Sequence, residues 1–244
     1  MSTSEVAVIT GASRGLGFAL ARGLAAAGYR LVIDGRDPAA LQAAAARLAF
    51  LAPGPQTPDG PVIAVPGDIT DPAHRAELQA AAARLGGPAL LIHNAGTLGA
   101  SPLPALADYP VAALRDALEV NVVAPVALTQ LLLPDLRARG GAVICVTSDA
   151  AVEAYAGWGG YGAAKAALEQ AGNVLAAEEP AVRVWRVDPG DLRTRMHQDA
   201  FPGEDISDRP LPETVVPAFL RLITERMPSG RYQAAELLPA GARP

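Results

Sequence analysis

Val6-Ala7-Val8-Ile9-Thr10-Gly11-Ala12-Ser13-Arg14-Gly15-Leu16-Gly17 is the stretch whose reading decides the fold. Val6 to Ile9 is short, apolar and β-branched, as a buried strand requires. An apolar helix begins at once behind the glycines, Phe18 to Ala27, and Gly28 stops it. Strand, glycine turn and helix in direct succession give a glycine motif its meaning. Gly11 permits the tight turn, Gly15 lets a pyrophosphate approach the backbone, and Gly17 permits close packing of helix on strand. The helix start then offers free N–H groups and a positive dipole end to phosphates. The spacing is G-x-x-x-G-x-G rather than the common G-x-G-x-x-G.

Outward from this unit the pattern repeats. Tyr29 to Ile33 is a second strand, so the first unit is βαβ with a helical crossover. It ends in Asp34-Gly35-Arg36-Asp37-Pro38, where such folds read the adenosine ribose. A carboxylate there bonds a 2′-hydroxyl and an arginine pairs with a 2′-phosphate; Asp34 and Arg36 offer both signs. A helix follows from Pro38, then a Pro/Gly-rich loop over Pro53 to Pro61. A third strand, Val62 to Val65, leads to Gly67-Asp68-Ile69, and Asp71 with Pro72 caps a helix reaching Leu85. A fourth strand, Ala89 to Ile92, ends in His93-Asn94-Ala95-Gly96, whose small residues let a ligand lie against the backbone. His93 has no metal-ligand partner nearby in sequence, so a hydrogen-bonded strand-end histidine is expected and a metal site is not.

Val111 to Arg137 reads as one long helix, with Pro125 kinking it beside Asn121. An asparagine there either satisfies a freed carbonyl or also holds a water. Ala142 to Val146 is a fifth strand ending at Thr147-Ser148-Asp149, and Val182 to Val187 a sixth ending at Asp188-Pro189-Gly190. Arg195 to Leu211, polar and rich in Pro and Asp, reads as a mobile lid carrying His197. A helix over Glu213 to Met227 and at most a short seventh strand over Arg231 to Leu238 complete the chain. Strands alternating with helices, without an internal repeat, predict a doubly wound parallel α/β sheet (Rossmann-like) in a single domain over 1–244, with a substrate lid at 195–212. Gly11, Asp68, Asn94, Ser148 and Pro189 all fall at the carboxyl ends of strands, where ligands of such sheets bind.

Composition narrows the function classes. The chain has 244 residues, half of them hydrophobic and 18% charged, enough for a sizeable core. A net charge of −5 without a run of Lys or Arg argues against nucleic acid or an anionic membrane as the main partner. Cys145, the one cysteine, sits in an apolar strand and is expected to be a buried thiol. No apolar segment is expected to span a bilayer, and Met1-Ser2-Thr3-Ser4-Glu5 has no basic leader, so a cytoplasmic location is expected.

The chemistry resides in Tyr161-Gly162-Ala163-Ala164-Lys165, among good helix formers that set Tyr161 and Lys165 one turn apart on one face. A phenol with a pKa of about 10 trades protons poorly at neutral pH. An ammonium one turn away favours the phenolate, so Lys165 is expected to pull the Tyr161 pKa towards the working range.

Taken in order, Thr10-Gly11-Ala12-Ser13-Arg14-Gly15-Leu16-Gly17, Asp68-Ile69, Asn94-Ala95-Gly96, Asn121, Ser148, Tyr161-x-x-x-Lys165 and Pro189-Gly190-Asp191-Leu192-Arg193-Thr194 resemble the short-chain dehydrogenase/reductase family in its compact form. The resemblance runs from about Val6 to Thr194. It implies an NAD(P)-dependent oxidoreductase acting on a carbonyl or secondary alcohol, with a small-molecule substrate. It implies Tyr161 as general acid/base, Ser148 positioning the substrate oxygen, and Lys165 binding the nicotinamide ribose and lowering the tyrosine pKa. Asn121 would hold a water in a proton relay. The cofactor would rest on Gly11, Ser13, Arg14, Gly15, Leu16 and Gly17, meet its adenine at Asp68-Ile69, and pass Asn94, Ala95 and Gly96. Pro189, Gly190, Leu192 and Thr194 would cover the carboxamide. Two departures stand out: His93 replaces the usual second Asn, and the tail lacks the apolar strand ending in Asp-Gly-Gly that serves one subunit contact. A homodimer through helices 111–137 and 161–178 is expected, and a tetramer is left open.

The cofactor choice rests on three side chains. By alignment of the motif, the acid of NAD-preferring relatives falls on Gly35, and Asp34, one residue earlier, should point away from the ribose. Arg14 and Arg36 then favour NADP(H), with NAD(H) as the alternative. Two other functions fit the same fold: a non-catalytic NADP-sensing protein, and an epimerase or dehydratase using the same tetrad. The first sits poorly with an intact Tyr161 and Lys165, and the second with the short stretch after Thr194.

Overall fold

The computed structural model describes residues 5–51 and 60–238. Seven parallel strands form one sheet in the order β3-β2-β1-β4-β5-β6-β7. They are β1 (Val6–Ile9), β2 (Arg30–Gly35), β3 (Val62–Pro66), β4 (Leu90–His93), β5 (Ala142–Val146), β6 (Arg183–Asp188) and β7 (Gly230–Gln233). The order reverses between β1 and β4, the point at which the two loops splay apart and leave a crevice. The expected doubly wound α/β sheet is what the chain forms. Most of the Pro53–Pro61 loop lies outside the described residues.

Side-chain alternation divides the core between the two faces of the sheet. Ala7, Ile9, Leu31 and Ile33 point one way, against α1 (Gly15–Ala26), α2 (Pro38–Ala49) and α8 (Val216–Thr224). Val6, Val8, Val32 and Val143 point the other way, against α3 (Pro72–Arg84), α5 (Ala124–Arg139) and α6 (Gly159–Glu178). Local chemistry starts the helices where the sequence indicates. Asp37 accepts N–H bonds from Ala39 and Ala40 with Pro38 behind it, and Asp71 accepts from Ala73 with Pro72 behind it.

Three elements depart from expectation. The long helix is α4 (Val111–Leu118), a π turn over Glu119–Val123, and α5 running on to Arg139. Pro125 has no N–H to offer the Asn121 carbonyl four residues back, and the ladder widens by one residue there instead of simply bending. This run of 29 residues, which holds an 18-residue window of mean hydropathy 1.5, is also long and apolar enough to cross a membrane by length and composition, contrary to expectation. Its Leu128, Leu132 and Leu136 are wholly buried against the sheet, while Val111, Val123 and Val126 are exposed. Finally, Arg195–Ala200 forms a short helix, α7, and the helix expected at Glu213 begins as a 3-10 turn, Pro212–Val215, before α8. A short helix, α9 (Ala234–Leu237), follows β7.

Candidate active site

The first turn after β1 is held by its neighbour across the crevice. Thr10 Oγ1 accepts the N–H groups of Asn94 and Ala95, and Asn94 Nδ2 donates to the carbonyls of Thr10 and Gly11 at 2.9 and 3.0 Å. Gly11 takes φ +66°, and an added Cβ would lie 2.9 Å from the Ala95 Cα. At Gly17 a Cβ would overlap both Asn94 Nδ2 and the Gly11 carbonyl at 2.4 Å. Both positions therefore require glycine, for backbone approach rather than flexibility. The N-cap of α1, Arg14, makes no side-chain cap and the first turn carries no acid, so its N–H groups face the crevice uncompensated.

At the end of β2, Gly35 and Asp34 face opposite ways. A Cβ on Gly35 would lie 3.2 Å from Ser13, towards the glycine turn. Asp34 is buried beneath that turn, where Oδ1 accepts the Gly11 N–H at 2.5 Å and Oδ2 meets His74 Nε2 at 3.2 Å. Both oxygens of its carboxylate are thus engaged in bracing the turn, although the residue still borders the crevice. Arg14 and Arg36 are exposed, and among the described residues neither forms an ion pair. Asp68 is held below the usual carboxylate range, first by the Thr70 N–H and hydroxyl, with Arg36 contributing a smaller share.

The second half of the site gathers around α6. Tyr161 and Lys165 lie one turn apart and are both buried, with Lys165 Nζ 5.6 Å from the centre of the Tyr161 ring. Lys165 Nζ donates to the Val146 carbonyl at 2.8 Å, and burial brings its pKa down to about 8. The tyrosine does not behave as expected. Burial raises its pKa well above the ordinary phenol value, and the Asp188 carboxylate adds to this; only a hydrogen bond with Ser148 opposes them. Lys165, 5.6 Å from the ring centre, does not reverse the shift. Ser148 Oγ in turn donates to Asp149 Oδ1 at 2.9 Å.

Asn121 is wholly buried in the π turn. Its Oδ1 accepts the Thr97 N–H, and its Nδ2 donates to the Thr97 and Ala117 carbonyls at 2.9 Å each. The side chain thus fastens the strand-end loop to the helix. His93, likewise buried, bonds Thr129 Oγ1 at 2.7 Å; burial brings its pKa down to about 3, with Lys165 assisting.

One continuous cleft of about 1450 Å³ connects these groups, larger than a typical single-ligand pocket of about 300–1,000 Å³. Gly11, Ser13, Arg14, Gly15, Leu16, Arg36, Asp68 and Ile69 line one end. Asn94, Ala95 and Gly96 form the floor, and Ser148, Tyr161, Lys165, Pro189, Gly190, Leu192 and Thr194 line the other end. Of the residues singled out in the sequence, Gly17 and Asn121 stand behind the wall rather than in it.

The sequence profile described as short chain dehydrogenase matches residues 5–205. The chain belongs to the short-chain dehydrogenase family. As a member it is an oxidoreductase with a Rossmann-like sheet. It is similar to the Escherichia coli oxidoreductase YciK, 30% identical over 223 residues that cover 90% of this chain and 86% of that protein. It is 36% identical to the sepiapterin reductase of Meriones unguiculatus over 204 residues, 79% of this chain and 76% of that one. A short chain dehydrogenase from Shigella flexneri complexed with NADP superposes with a TM-score of 0.83 at 28% identity, covering 94% of this chain and 96% of that one.

Several residues of this short-chain dehydrogenase site escaped sequence reasoning. His74 completes the Asp34 pair, and the one signal was Gly67, where a Cβ would overlap the His74 ring at 2.2 Å. Arg231, on β7, donates to Glu169 Oε1 at 2.9 Å, to the Ser148 carbonyl at 3.3 Å and to Asp188 Oδ2 at 3.4 Å. Glu169 lies two turns beyond Tyr161 on the same stripe of α6 and also accepts from Thr147 Oγ1 at 2.7 Å. Trp158 and Phe201, which wall the outer cleft, carry no motif at all.

Proposed function

We propose that the protein is an NADP(H)-dependent reductase of ketones or aldehydes, with Tyr161 as general acid. The observation that carries this reading is the Tyr161–Ser148 pair: a buried phenol, kept protonated by its surroundings, beside a hydroxyl at the end of β5. The dinucleotide fits the residues present. The uncapped start of α1 suits a pyrophosphate, the glycine floor at Gly11 and Gly96 leaves room for it, and Lys165 Nζ lies 3.7 Å from where a Gly96 Cβ would stand. When bound, the cofactor supplies the hydride that goes to the carbonyl carbon and is itself oxidised.

The chain's own residues do the rest. Ser148 and Tyr161 hold the carbonyl oxygen, and as charge develops there the Tyr161 O–H proton passes to it, giving the alcohol. Lys165 donates to the nicotinamide ribose and then stands as a cation beside the phenolate left behind. Asn121 holds the Thr97 segment in place and, through the π turn, shapes the inner end of the cleft. Asp68 and Ile69 meet the adenine, and Pro189 to Thr194 cover the carboxamide. The preference for NADP(H) over NAD(H) rests on Arg14 and Arg36 being free at the ribose end while both Asp34 oxygens are engaged by Gly11 and His74. It agrees with the NADP carried by the Shigella flexneri relative.

The same reading takes 1–244 as one domain, with 195–212 as a lid over the substrate, and makes the protein a homodimer. Val123 and Val126 on the π turn and α5, and Val174 on α6, are apolar and exposed, as a helical dimer face requires. The deciding experiment is a spectrophotometric assay at the nicotinamide absorbance, with carbonyls and each cofactor in turn. Reduction with NADPH that is lost in Tyr161→Phe supports the reading, and absence of any carbonyl reduction with either cofactor rejects it.

A further inference from the structure

The outer half of the cleft is walled by rings. Trp158, at the start of α6, meets the Tyr161 ring edge-on with centroids 5.7 Å apart. Phe201, just past α7, lies 5.9 Å from Trp158, and the His197 ring packs tilted against Phe201 with centroids 4.9 Å apart. Leu98 and Met196 complete this apolar lining, and Trp158, Met196 and Phe201 are each only partly buried, so their faces remain open to the cleft. The row starts at the proposed proton donor and leads outwards from it. A substituent on a carbonyl seated at Tyr161 therefore runs along aromatic surface, where ring-on-ring contact adds to area burial.

The charges on this side are mostly carboxylates, with Arg193 and Arg195 among them. Asp149 stands next to Ser148 and holds both the Ser148 and Tyr155 hydroxyls, at 2.9 and 3.0 Å. Asp191 lines the same cleft. The nearby cations are engaged: Arg193 donates to the Ser207 and Arg209 carbonyls, and Arg195 pairs with Asp199 at 3.7 Å. An anionic tail, such as a carboxylate or a coenzyme A thioester, meets more carboxylates than cations on this side.

We propose that the substrate is an uncharged ketone bearing an aryl group beside its carbonyl, the ring lying against Trp158 and Phe201. This rests on the carbonyl-reductase reading and names the substrate class for it.

The test compares kcat/KM for 2-acetonaphthone, 2-octanone and acetoacetyl-coenzyme A with NADPH. The aryl ketone is expected to exceed the alkyl ketone by about tenfold, and the thioester to be the poorest of the three. Trp158→Ala and Phe201→Ala should lower the aryl-to-alkyl ratio about tenfold, and Trp158→Phe should keep it. An alkyl ketone or thioester used as well as the aryl ketone, or a ratio unmoved in Trp158→Ala, overturns the inference and leaves the reductase reading standing.

A second readout needs no turnover. The chain has two tryptophans, and Trp185 is buried with its Nε1 donating to the Met227 carbonyl at 3.0 Å. Trp158 is therefore the reporter. With NADP⁺ bound, 2-acetonaphthone should quench tryptophan emission saturably in the wild type and not in Trp158→Phe. If no carbonyl is reduced, the reductase reading fails, and saturable quenching still decides the pocket; absence of quenching overturns the inference.

Discussion

Asp34 accepts the main-chain N–H of Gly11, so the acid at the end of β2 braces the glycine turn instead of facing a ribose. Its other oxygen is held by His74, reaching across from α3. Asp34→Ala leaves a buried N–H and a buried imidazole without a partner, a loss of about 1–3 kcal/mol for each unsatisfied group. A lower melting temperature and a higher KM for the cofactor are expected together, because the turn that loosens is the turn that carries the phosphates. Asp34→Asn should recover part of the stability, since its side-chain oxygen can still accept from Gly11. An Asp34→Ala protein as stable as the wild type would remove this bracing role.

Arg36→Ala should move cofactor preference from NADP(H) towards NAD(H). Charge-assisted hydrogen bonds contribute about 1.5–3 kcal/mol, so the ratio of kcat/KM for the two cofactors should shift by about ten- to a hundredfold. The rate with NAD(H) should barely change. Ratios measured at fixed ionic strength check this, and an unmoved ratio assigns the phosphate to other residues.

Tyr161→Phe keeps the ring that packs against Trp158 and removes only the hydroxyl. Turnover should fall by about 10²–10⁴-fold with the cofactor dissociation constant nearly unchanged. The pH profile has a defined sign. Burial and Asp188 raise the phenol pKa, so the protonated form persists across neutral pH. Reduction, which needs the proton, should hold level through neutrality and fall only at strongly alkaline pH. Alcohol oxidation, which needs the phenolate, should keep rising with pH. A reduction rate already falling between pH 6 and about 8 would count against a raised phenol.

Lys165→Met separates function from stability. The folded lysine has a pKa of about 8, below its ordinary value, because burial disfavours the charge. Below pH 8 both folded and unfolded forms carry the proton, and the folded state bears the full desolvation cost. From there up to about 10.4 the unfolded chain binds more protons, so this contribution makes the protein more stable as pH rises. The melting temperature of Lys165→Met relative to wild type should therefore be highest near neutrality and decline towards pH 10. Cofactor affinity should be weaker throughout. Paired melting curves and cofactor titrations at several pH values decide both.

The parts of the molecule written in contiguous residues were legible in sequence. The strand, glycine turn and helix from Val6 to Ala26 fix the first unit, and small residues at Asn94-Ala95-Gly96 mark the facing loop. What escaped depends on residues joined only by folding. Asp34 and His74 are forty positions apart, and nothing near either residue announces the other. Lys165 beside Tyr161 suggested a lowered phenol pKa, because spacing along a helix is visible and burial is not. The Asp188 carboxylate that pushes the other way arrives on β6. The π turn was half legible: Pro125 marked the place, but the three bonds from the Asn121 side chain to Thr97 and Ala117 come from the fold.

The Arg231 contacts have a consequence for how the chain is made. By the time Asp188 leaves the ribosome, the glycine turn, Ser148, Tyr161 and Lys165 have all been synthesised, yet Glu169 and Asp188 still lack their shared cation. Only when β7 docks along β6 does Arg231 tie the Ser148 carbonyl, α6 and the end of β6 together. A nascent chain stalled before Gly230 holds two acids in its interior without that partner, an arrangement that resists close packing. The site is thus tied together by a strand that contributes no residue to the cleft.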